Sequence, residues 1–170
     1  MKIIVVSDIH GRGYYLDTVM DRNPGFDGVF FLGDGAIGVD VDSVRSRGMF
    51  FCGVLGNCDS GYTPFGYPYS KELLTPLDEY NVMLTHGDRY SVKSGYERAA
   101  AYAYARGADI LLFGHTHIPM EKYYPAGSRL LDTVTERPLR LMNPGSLREG
   151  SYGLLQIKNR EILLSHGNLF

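Results

Sequence analysis

The chain of 170 residues carries 17 Lys and Arg against 19 Asp and Glu, a formal net charge of −2, and 44% of its residues are apolar. This length suits one hydrophobic core, and we expect residues 1–170 to form a single domain. Without a basic excess we expect no extended nucleic-acid surface, and no apolar run approaches the roughly 18 residues needed to span a bilayer. With only two cysteines, Cys52 and Cys58, we expect no disulfide framework. The N-terminal apolar run is too short for a signal peptide, so we expect the protein in the cytoplasm.

The first half of the chain begins with a βαβαβ pattern. Helices are expected at 14–22 and 39–47, both ended by glycine-containing segments. A third helix is expected at 94–106, where Ser94 and Glu97 match a capping box and Gly107 supplies a stop. Continuous apolar runs of strand length, typical of strands buried on both faces, lie outside these helices at 3–6, 29–32, 49–55, 82–84 and 110–113.

The second half of the chain changes to short β-like segments separated by Pro and Gly. We expect it to form an antiparallel or mixed sheet packed on the first, with a hairpin turn at Lys158-Asn159-Arg160. In the first half, a loop is expected at 61–70. The β-like segments are 121–124, 129–132, 139–142, 152–157 and 161–165.

Polar side chains of metal-ligand type follow each of the five apolar runs. In open α/β sheets, ligands bind outside the carboxyl ends of the strands, so these side chains are expected to converge. In D-x-H and H-T-H the two residues lie two apart, on one face of an extended segment. Taken singly, each residue could instead cap a helix or brace a turn, and His166 is interpreted as structural. The candidates are Asp8, His10, Asp34, Asn57, His86, His115 and His117.

These residues lie within motifs that, taken in order, resemble those of the calcineurin-like metallophosphoesterases. The motifs are Asp8-Ile9-His10, Gly33-Asp34, Gly56-Asn57-Cys58-Asp59, Thr85-His86-Gly87 and Gly114-His115-Thr116-His117. Asn143-Pro144-Gly145-Ser146 also resembles a loop of the small prokaryotic phosphodiesterase branch of that family. The resemblance implies an α/β fold of four layers, α/β/β/α, in which helices flank two mixed β-sheets.

The resemblance also implies a centre of two divalent metal ions. One ion would be held by Asp8, His10, Asp34 and His117, and the other by Asp34, Asn57, His86 and His115, so that Asp34 bridges. Imidazole and carboxylate ligands suit manganese, which we expect first, and also iron, nickel, cobalt or zinc. The implied reaction is hydrolysis of a small phosphodiester by a hydroxide that bridges the two ions and attacks phosphorus. Asn57, Cys58 and His86 are the expected catalytic residues.

Cys58 departs from the larger members of the family, which have His at this position. A thiol is a weaker match to neutral pH than imidazole, so good leaving groups such as aryl groups should be preferred. Alternatively, Cys58 only fills space.

Substrate-orienting residues are less clearly marked in the sequence. Arg12 and Arg89 lie on strand-end loops and are candidates for contacting phosphate, as is Arg148. Each could equally be a surface residue. The aromatic cluster Tyr62, Phe65, Tyr67 and Tyr69 could stack on a substrate, pack the loop or form a subunit contact in a homo-oligomer.

Three other functions compete with a phosphodiesterase. The chain could be a phosphomonoesterase of the same family, or a non-catalytic binding module of the same fold. Residues 33–38 also match the G-x-G-x-x-G dinucleotide fingerprint, with Asp59 as its acidic residue. That match is disfavoured because the motif follows the second strand and Asp34 would repel the pyrophosphate.

Overall fold

The computed structural model describes residues 1–60 and 67–170. Strands are the commonest regular elements in this part of the chain, and three α-helices interrupt them. The elements are β1 Lys2–Val6, α1 Tyr14–Arg22, β2 Gly28–Phe31, α2 Val41–Ser46, β3 Phe50–Gly53, β4 Glu72–Leu77, β5 Tyr80–Thr85, α3 Glu97–Ala105, β6 Ile110–Phe113, β7 Met120–Tyr124, β8 Arg129–Leu130, β9 Thr133–Val134, β10 Leu139–Asn143, β11 Ser151–Lys158 and β12 Glu161–Asn168.

Two mixed five-stranded sheets form the centre of the fold. The first has the order β12-β11-β1-β2-β3, and the second has the order β4-β5-β6-β10-β7. Strands β1, β2 and β3 run parallel, which confirms the predicted βαβαβ beginning. In the second sheet β5, β6 and β10 are also parallel. In the first sheet, the carboxyl ends of β1, β2 and β3 therefore lie at one edge. In the second sheet, those of β5 and β6 do the same.

Apolar residues fill three layers of core. Along β1, Ile3 and Val5 face the core between the sheets, whereas Ile4 and Val6 face the core beneath α1 and α2. A third core lies between the second sheet and α3, where Ala99, Ala100 and Ala103 are buried. The four-layer α/β/β/α fold is thus confirmed. The longest helices have nine residues, and no helix in the described ranges is long and apolar enough to cross a bilayer.

The final hairpin does not join the second sheet as predicted. Strand β11 pairs antiparallel with β1, and β12 pairs with β11 at the edge of the first sheet. The prediction failed because the side of β1 away from β2 pairs with β11, whose residues lie about 150 positions away in sequence. No local pattern indicates such a pairing. The hairpin turn itself is confirmed, with Asn159 and Arg160 at φ 52° and 65° as a two-residue turn requires.

Helix α3 starts later than predicted, and strand β4 was not predicted. Helix α3 begins at Glu97 rather than Ser94, and Tyr96 precedes it without a side-chain cap. The backbone N–H of Ser94 donates to the carbonyl oxygen of Ser91 at 2.8 Å, so Ser94 belongs to a preceding turn. Strand β4 was not predicted because Pro76 interrupts its pattern, and proline is tolerated there because β4 lies at the sheet edge.

Candidate metal centre

The loops after the parallel strands hold a strained backbone at the predicted ligands. Left-handed conformation costs a non-glycine residue about 1–3 kcal/mol and persists where surrounding contacts enforce it. Here the N–H of Asp8 donates to Gly33 O at 2.9 Å and that of Ile9 donates to Asp34 O at 2.8 Å, which ties the first two loops together. Left-handed φ values occur at Asp8 (54°), His10 (44°), Asp34 (60°), His115 (67°) and His117 (61°).

Asp8, His10 and His117 form the first group of candidate ligands, which we call the Asp8 group. Asp8 Oδ1 lies 3.1 Å from His117 Nε2 and 3.9 Å from His10 Nε2. Within residues 1–60 and 67–170, this buried oxygen accepts no hydrogen bond. A buried carboxylate oxygen without a partner is costly, and a cation between it and the two imidazoles would satisfy it.

Asp34, His86 and His115 form the second group, which we call the Asp34 group. His86 Nδ1 lies 2.8 Å from the carbonyl oxygen of Leu32. Because a carbonyl only accepts, Nδ1 carries the proton and the lone pair is on Nε2. His86 Nε2 in turn lies 3.3 Å from Asp34 Oδ2 and 3.2 Å from His115 Nδ1. An imidazole anchored through its other nitrogen is the usual arrangement of a metal-ligating histidine.

The electrostatics of the Asp34 group keep its carboxylate charged. Burial raises the pKa of Asp34, but the adjacent His86 imidazole and the N–H of Cys58, 2.8 Å from Oδ1, outweigh burial and hold that pKa well below its usual range. Burial lowers the pKa of His86, but Asp34 and Asp8 raise it further than burial lowers it. Burial and the neighbouring His86 lower the pKa of His115. The donor set therefore fits a divalent cation without a thiolate.

The two groups are adjacent, and six of the seven predicted ligands belong to them. The backbone N–H of His115 donates to Asp8 Oδ2 at 3.1 Å, which joins one group to the other. Asn57 is exposed, and its Nδ2 donates to Cys58 Sγ at 3.2 Å. The Asp34 carboxylate falls in the second group alone, so its bridging role remains a proposal.

Asp59 holds the loops of the candidate metal centre in place, a role that the sequence did not reveal. Its Oδ2 accepts the N–H groups of Asp34 and Gly56, both at 2.8 Å, and its Oδ1 accepts those of Gly35 and Ala36 at 2.8 and 2.9 Å. The glycine-rich segment 33–38 therefore directs its N–H groups at a carboxylate of its own chain. This occupies the donors that a dinucleotide would need, and the fingerprint match is explained by the metal loops.

Asn143 and Ser146 brace the loops from the opposite side. Buried Asn143 donates from Nδ2 to Gly114 O at 2.7 Å and to Thr116 Oγ1 at 3.0 Å. Ser146 Oγ donates to Asp8 O at 2.9 Å. The Asn-Pro-Gly-Ser segment thus fixes the two loops that carry Asp8, His115 and His117.

The predicted substrate residues are placed differently from one another. Arg12 donates from Nη1 to Tyr15 Oη at 2.7 Å. Arg89 forms an ion pair with Glu72 at 3.1 Å. The exposed Arg148 is near the centre through its backbone N–H, which lies 3.3 Å from Asp8 O. His166 lies outside both groups, with Nε2 2.7 Å from Asn143 O.

The aromatic cluster is only partly covered by the structure. Tyr62 and Phe65 lie outside the described residues. Tyr67 and Tyr69 pack edge-on against Phe51, with ring centroids 5.0 and 6.1 Å away. These two tyrosines extend the core beside β3, which is the loop-packing alternative.

Comparison with known proteins identifies the family. The family model of the calcineurin-like phosphoesterase superfamily domain matches residues 1–160. The chain belongs to the calcineurin-like phosphoesterase superfamily. A relative from Bacillus subtilis strain 168, described as probable metallophosphoesterase YsnB, is 28% identical over 166 residues, which is 94% of this chain and 86% of the relative.

Two solved structures show the same fold. One, from Streptococcus pneumoniae TIGR4 and described as a predicted phosphoesterase, is 27% identical with a TM-score of 0.70 and covers 98% of this chain and 88% of its own. The other is wild-type Vps29 from Entamoeba histolytica complexed with Zn²⁺, 18% identical with a TM-score of 0.69 and 99% coverage of both chains. Family membership supports a phosphoesterase that binds metal.

Proposed function

We propose that this calcineurin-like phosphoesterase hydrolyses small phosphodiesters at a centre of two divalent ions. The observation that carries the proposal is the pair of adjacent ligand groups on a strained backbone, with His86 Nε2 left free by the bond from Nδ1 to Leu32. The Asp8 group and the Asp34 group would each hold one ion, with Asn57 completing the second and Asp34 bridging. We propose manganese first, then iron, nickel, cobalt or zinc.

The ions, when bound, would polarise the phosphoryl oxygens and activate water for attack on phosphorus. The protein residues hold the charges that make this possible. Asp8 and Asp34 are buried carboxylates, and two divalent ions would reverse the sign of their field and attract a phosphate ester. The exposed Asn57 lies beside Cys58, whose backbone N–H orients Asp34. The hydrogen bond from His86 Nδ1 to Leu32 O fixes the orientation of the ring.

Cys58 favours substrates with good leaving groups. The hydrogen bond to Asp34, burial and the charge of Asp34 raise the pKa of the Cys58 thiol. The thiol is therefore neutral at pH 7 and gives up its proton reluctantly. We propose that aryl phosphates and phosphodiesters are hydrolysed faster than alkyl monoesters.

The test is metal content measured together with turnover. Protein loaded with each divalent ion is assayed with bis(p-nitrophenyl) phosphate and p-nitrophenyl phosphate. We expect two ions per chain and faster turnover of the diester. Faster turnover of the monoester would instead make the chain a phosphomonoesterase, and bound metal without turnover of either ester would favour a non-catalytic binding module.

Asp34→Asn tests the centre directly. The amide keeps the shape of the side chain but loses the charge that lies 3.3 Å from His86 Nε2, so turnover should fall by at least about 100-fold. Asp42→Asn, an exposed carboxylate 3.7 Å from Arg45, is the matched control and should leave turnover unchanged. Wild-type turnover in Asp34→Asn, with an unchanged circular dichroism spectrum, contradicts the proposal.

Cys58→Ala separates the two interpretations of the thiol. If the thiol assists the leaving group, the variant should hydrolyse an alkyl phosphodiester about tenfold more slowly than wild type while the p-nitrophenyl ester is unaffected. Equal loss on both esters, or no loss on either, would mean that Cys58 only fills space.

We further propose that residues 1–170 act as one domain in the cytoplasm. Both cysteines are free thiols, which supports a reducing compartment. The proposed partner is the small phosphate ester itself, and a homo-oligomer is compatible with the exposed apolar side chains Ile118, Tyr123 and Leu163.

A further inference from the structure

A cavity lies between the start of β4, the turn at 88–90 and α3, and that turn follows the candidate ligand His86 in sequence. It has a volume of about 370 Å³ and is lined by Glu72, Arg89, Tyr90, Arg98 and Tyr102. We call it the arginine cleft. None of these residues is a predicted metal ligand.

The single carboxylate among the lining residues already accepts three hydrogen bonds. Glu72 Oε1 accepts from Arg89 Nη1 at 3.1 Å and from Tyr90 Oη at 2.6 Å, and Glu72 Oε2 accepts from Tyr102 Oη at 3.1 Å. The Glu72 carboxylate therefore holds the side chains of Arg89, Tyr90 and Tyr102 in position, and these donors offset part of its repulsion of an anionic ligand.

The cleft has an excess of positive charge. Arg98 is exposed and forms no ion pair with a carboxylate of the described residues. Arg106 lies outside the lining and contacts one of its phenols, since its Nη1 donates to Tyr102 Oη at 2.9 Å. Among the lining residues, the guanidinium groups of Arg89 and Arg98 and the carboxylate of Glu72 leave one positive charge, although the whole chain has a net charge of −2. Arginine side chains recognise phosphate through paired hydrogen bonds.

The cleft opens at the end of the sheet that carries the metal ligands. Glu72 pairs in register with Thr85, which directly precedes His86. Paired Cα atoms lie about 5 Å apart and successive ones 3.8 Å apart, so the Glu72 backbone is within about 9 Å of that of His86. Arg89 and Tyr90 follow His86 in the same loop. A substrate that engages both places must span at least the distance between them.

We propose that the arginine cleft binds a second phosphate group of the same substrate whose reacting phosphoryl group lies at the metal centre. This specificity role rests on the proposed phosphodiesterase function. Arg98 and Arg89 contact the second phosphate, and Glu72 with its two tyrosines holds Arg89 in place. Diesters with a phosphate elsewhere in the molecule are therefore preferred over diesters without one.

Two matched pairs of probes test the proposal. For turnover, the p-nitrophenyl ester of thymidine 5′-phosphate is compared with the same ester carrying an added 3′-phosphate. For binding, thymidine 5′-monophosphate is compared with thymidine 3′,5′-bisphosphate by calorimetry on the metal-loaded protein. Wild type, Arg98→Gln and the control Arg45→Gln, an exposed arginine on α2, are measured together.

We expect wild type to prefer the added phosphate about tenfold in kcat/KM and in Kd, as for one charge-assisted contact at a partly exposed site. Arg98→Gln should reduce that preference to about twofold and leave kcat/KM for the ester without the 3′-phosphate unchanged. Arg45→Gln should keep the full preference.

The two proposals fail in different ways. Equal affinity for the mono- and bisphosphate overturns the cleft proposal, whether or not the esters are hydrolysed. A tenfold preference in Kd that Arg98→Gln removes supports the cleft even if neither ester is hydrolysed, and in that case only the proposed function has failed. If inorganic phosphate competes at Arg98 while the two nucleotides bind equally, the cleft binds free phosphate, and the substrate role is wrong.

Discussion

Replacing Asp59 by Asn tests how the loops of the metal centre are held. The carboxylate accepts four backbone N–H groups, two on each oxygen. An amide has the same shape but only one acceptor oxygen. Whichever way it turns, its NH₂ group must face two backbone N–H donors, and two of the four hydrogen bonds are lost.

The magnitude follows from those lost bonds. A hydrogen bond to a charged group contributes about 1.5–3 kcal/mol, and partial access of water to half-buried Asp59 reduces the loss. We therefore expect the free energy of unfolding to fall by about 2–4 kcal/mol. For a chain of this size that lowers the melting temperature on the order of 10 °C.

Urea unfolding followed by far-ultraviolet circular dichroism is the assay, since the chain has no tryptophan. The control Asp42→Asn removes an exposed carboxylate and should change the free energy of unfolding by less than about 0.5 kcal/mol. Metal affinity, measured by equilibrium dialysis, should weaken about 10–100-fold in Asp59→Asn because the loop carrying Asp34 loosens. An unfolding midpoint and a metal affinity equal to those of wild type would refute this reasoning.

Two further substitutions test the supports of the centre. Gly56→Ala would place a Cβ about 2.0 Å from Asp34 Oδ1 and 2.6 Å from its backbone N. Because Asp34 must then shift, equilibrium dialysis should show metal affinity at least about tenfold weaker than in wild type. Unchanged affinity would mean that the loop moves aside freely. Asn143→Ala leaves the Gly114 carbonyl and the Gly145 N–H without their side-chain partner, and urea unfolding should show a loss of about 1–3 kcal/mol. An Asn143→Ala variant as stable as wild type would show that water replaces the amide.

Much of the fold was predictable from the apolar runs. Strands β1, β2 and β6 are continuous apolar segments because each is buried on both faces between two cores. Their predicted bounds agree with the structure to within about one residue. Strand β4 was not predicted because it is an edge strand that contains Pro76. The start of α3 was misplaced because the N–H of Ser94 bonds within a preceding turn rather than in the helix.

The candidate site was predictable where residue type and local spacing were enough. Asp8 and His10, two residues apart, and His115 and His117, also two apart, each follow a buried strand directly. Asp59 was not recognisable as a positioning residue because its partners lie on two separate loops, 3 to 25 residues away in sequence. The arginine cleft likewise combines β4, the turn at 88–90 and α3, whose proximity no local pattern indicates.

The sequence by itself determined which polar residues follow the strands, because an apolar run and the carboxylate or imidazole after it are close neighbours in sequence. The spacing of these residues does not say how they are grouped; the family resemblance implied a grouping, and the tertiary structure shows one. Asp8 meets His117 across two sheets, 109 positions apart, at 3.1 Å, and the backbone at both residues is forced into a left-handed conformation. Such a grouping depends on how two sheets pack, and packing is a property of the whole chain rather than of any segment.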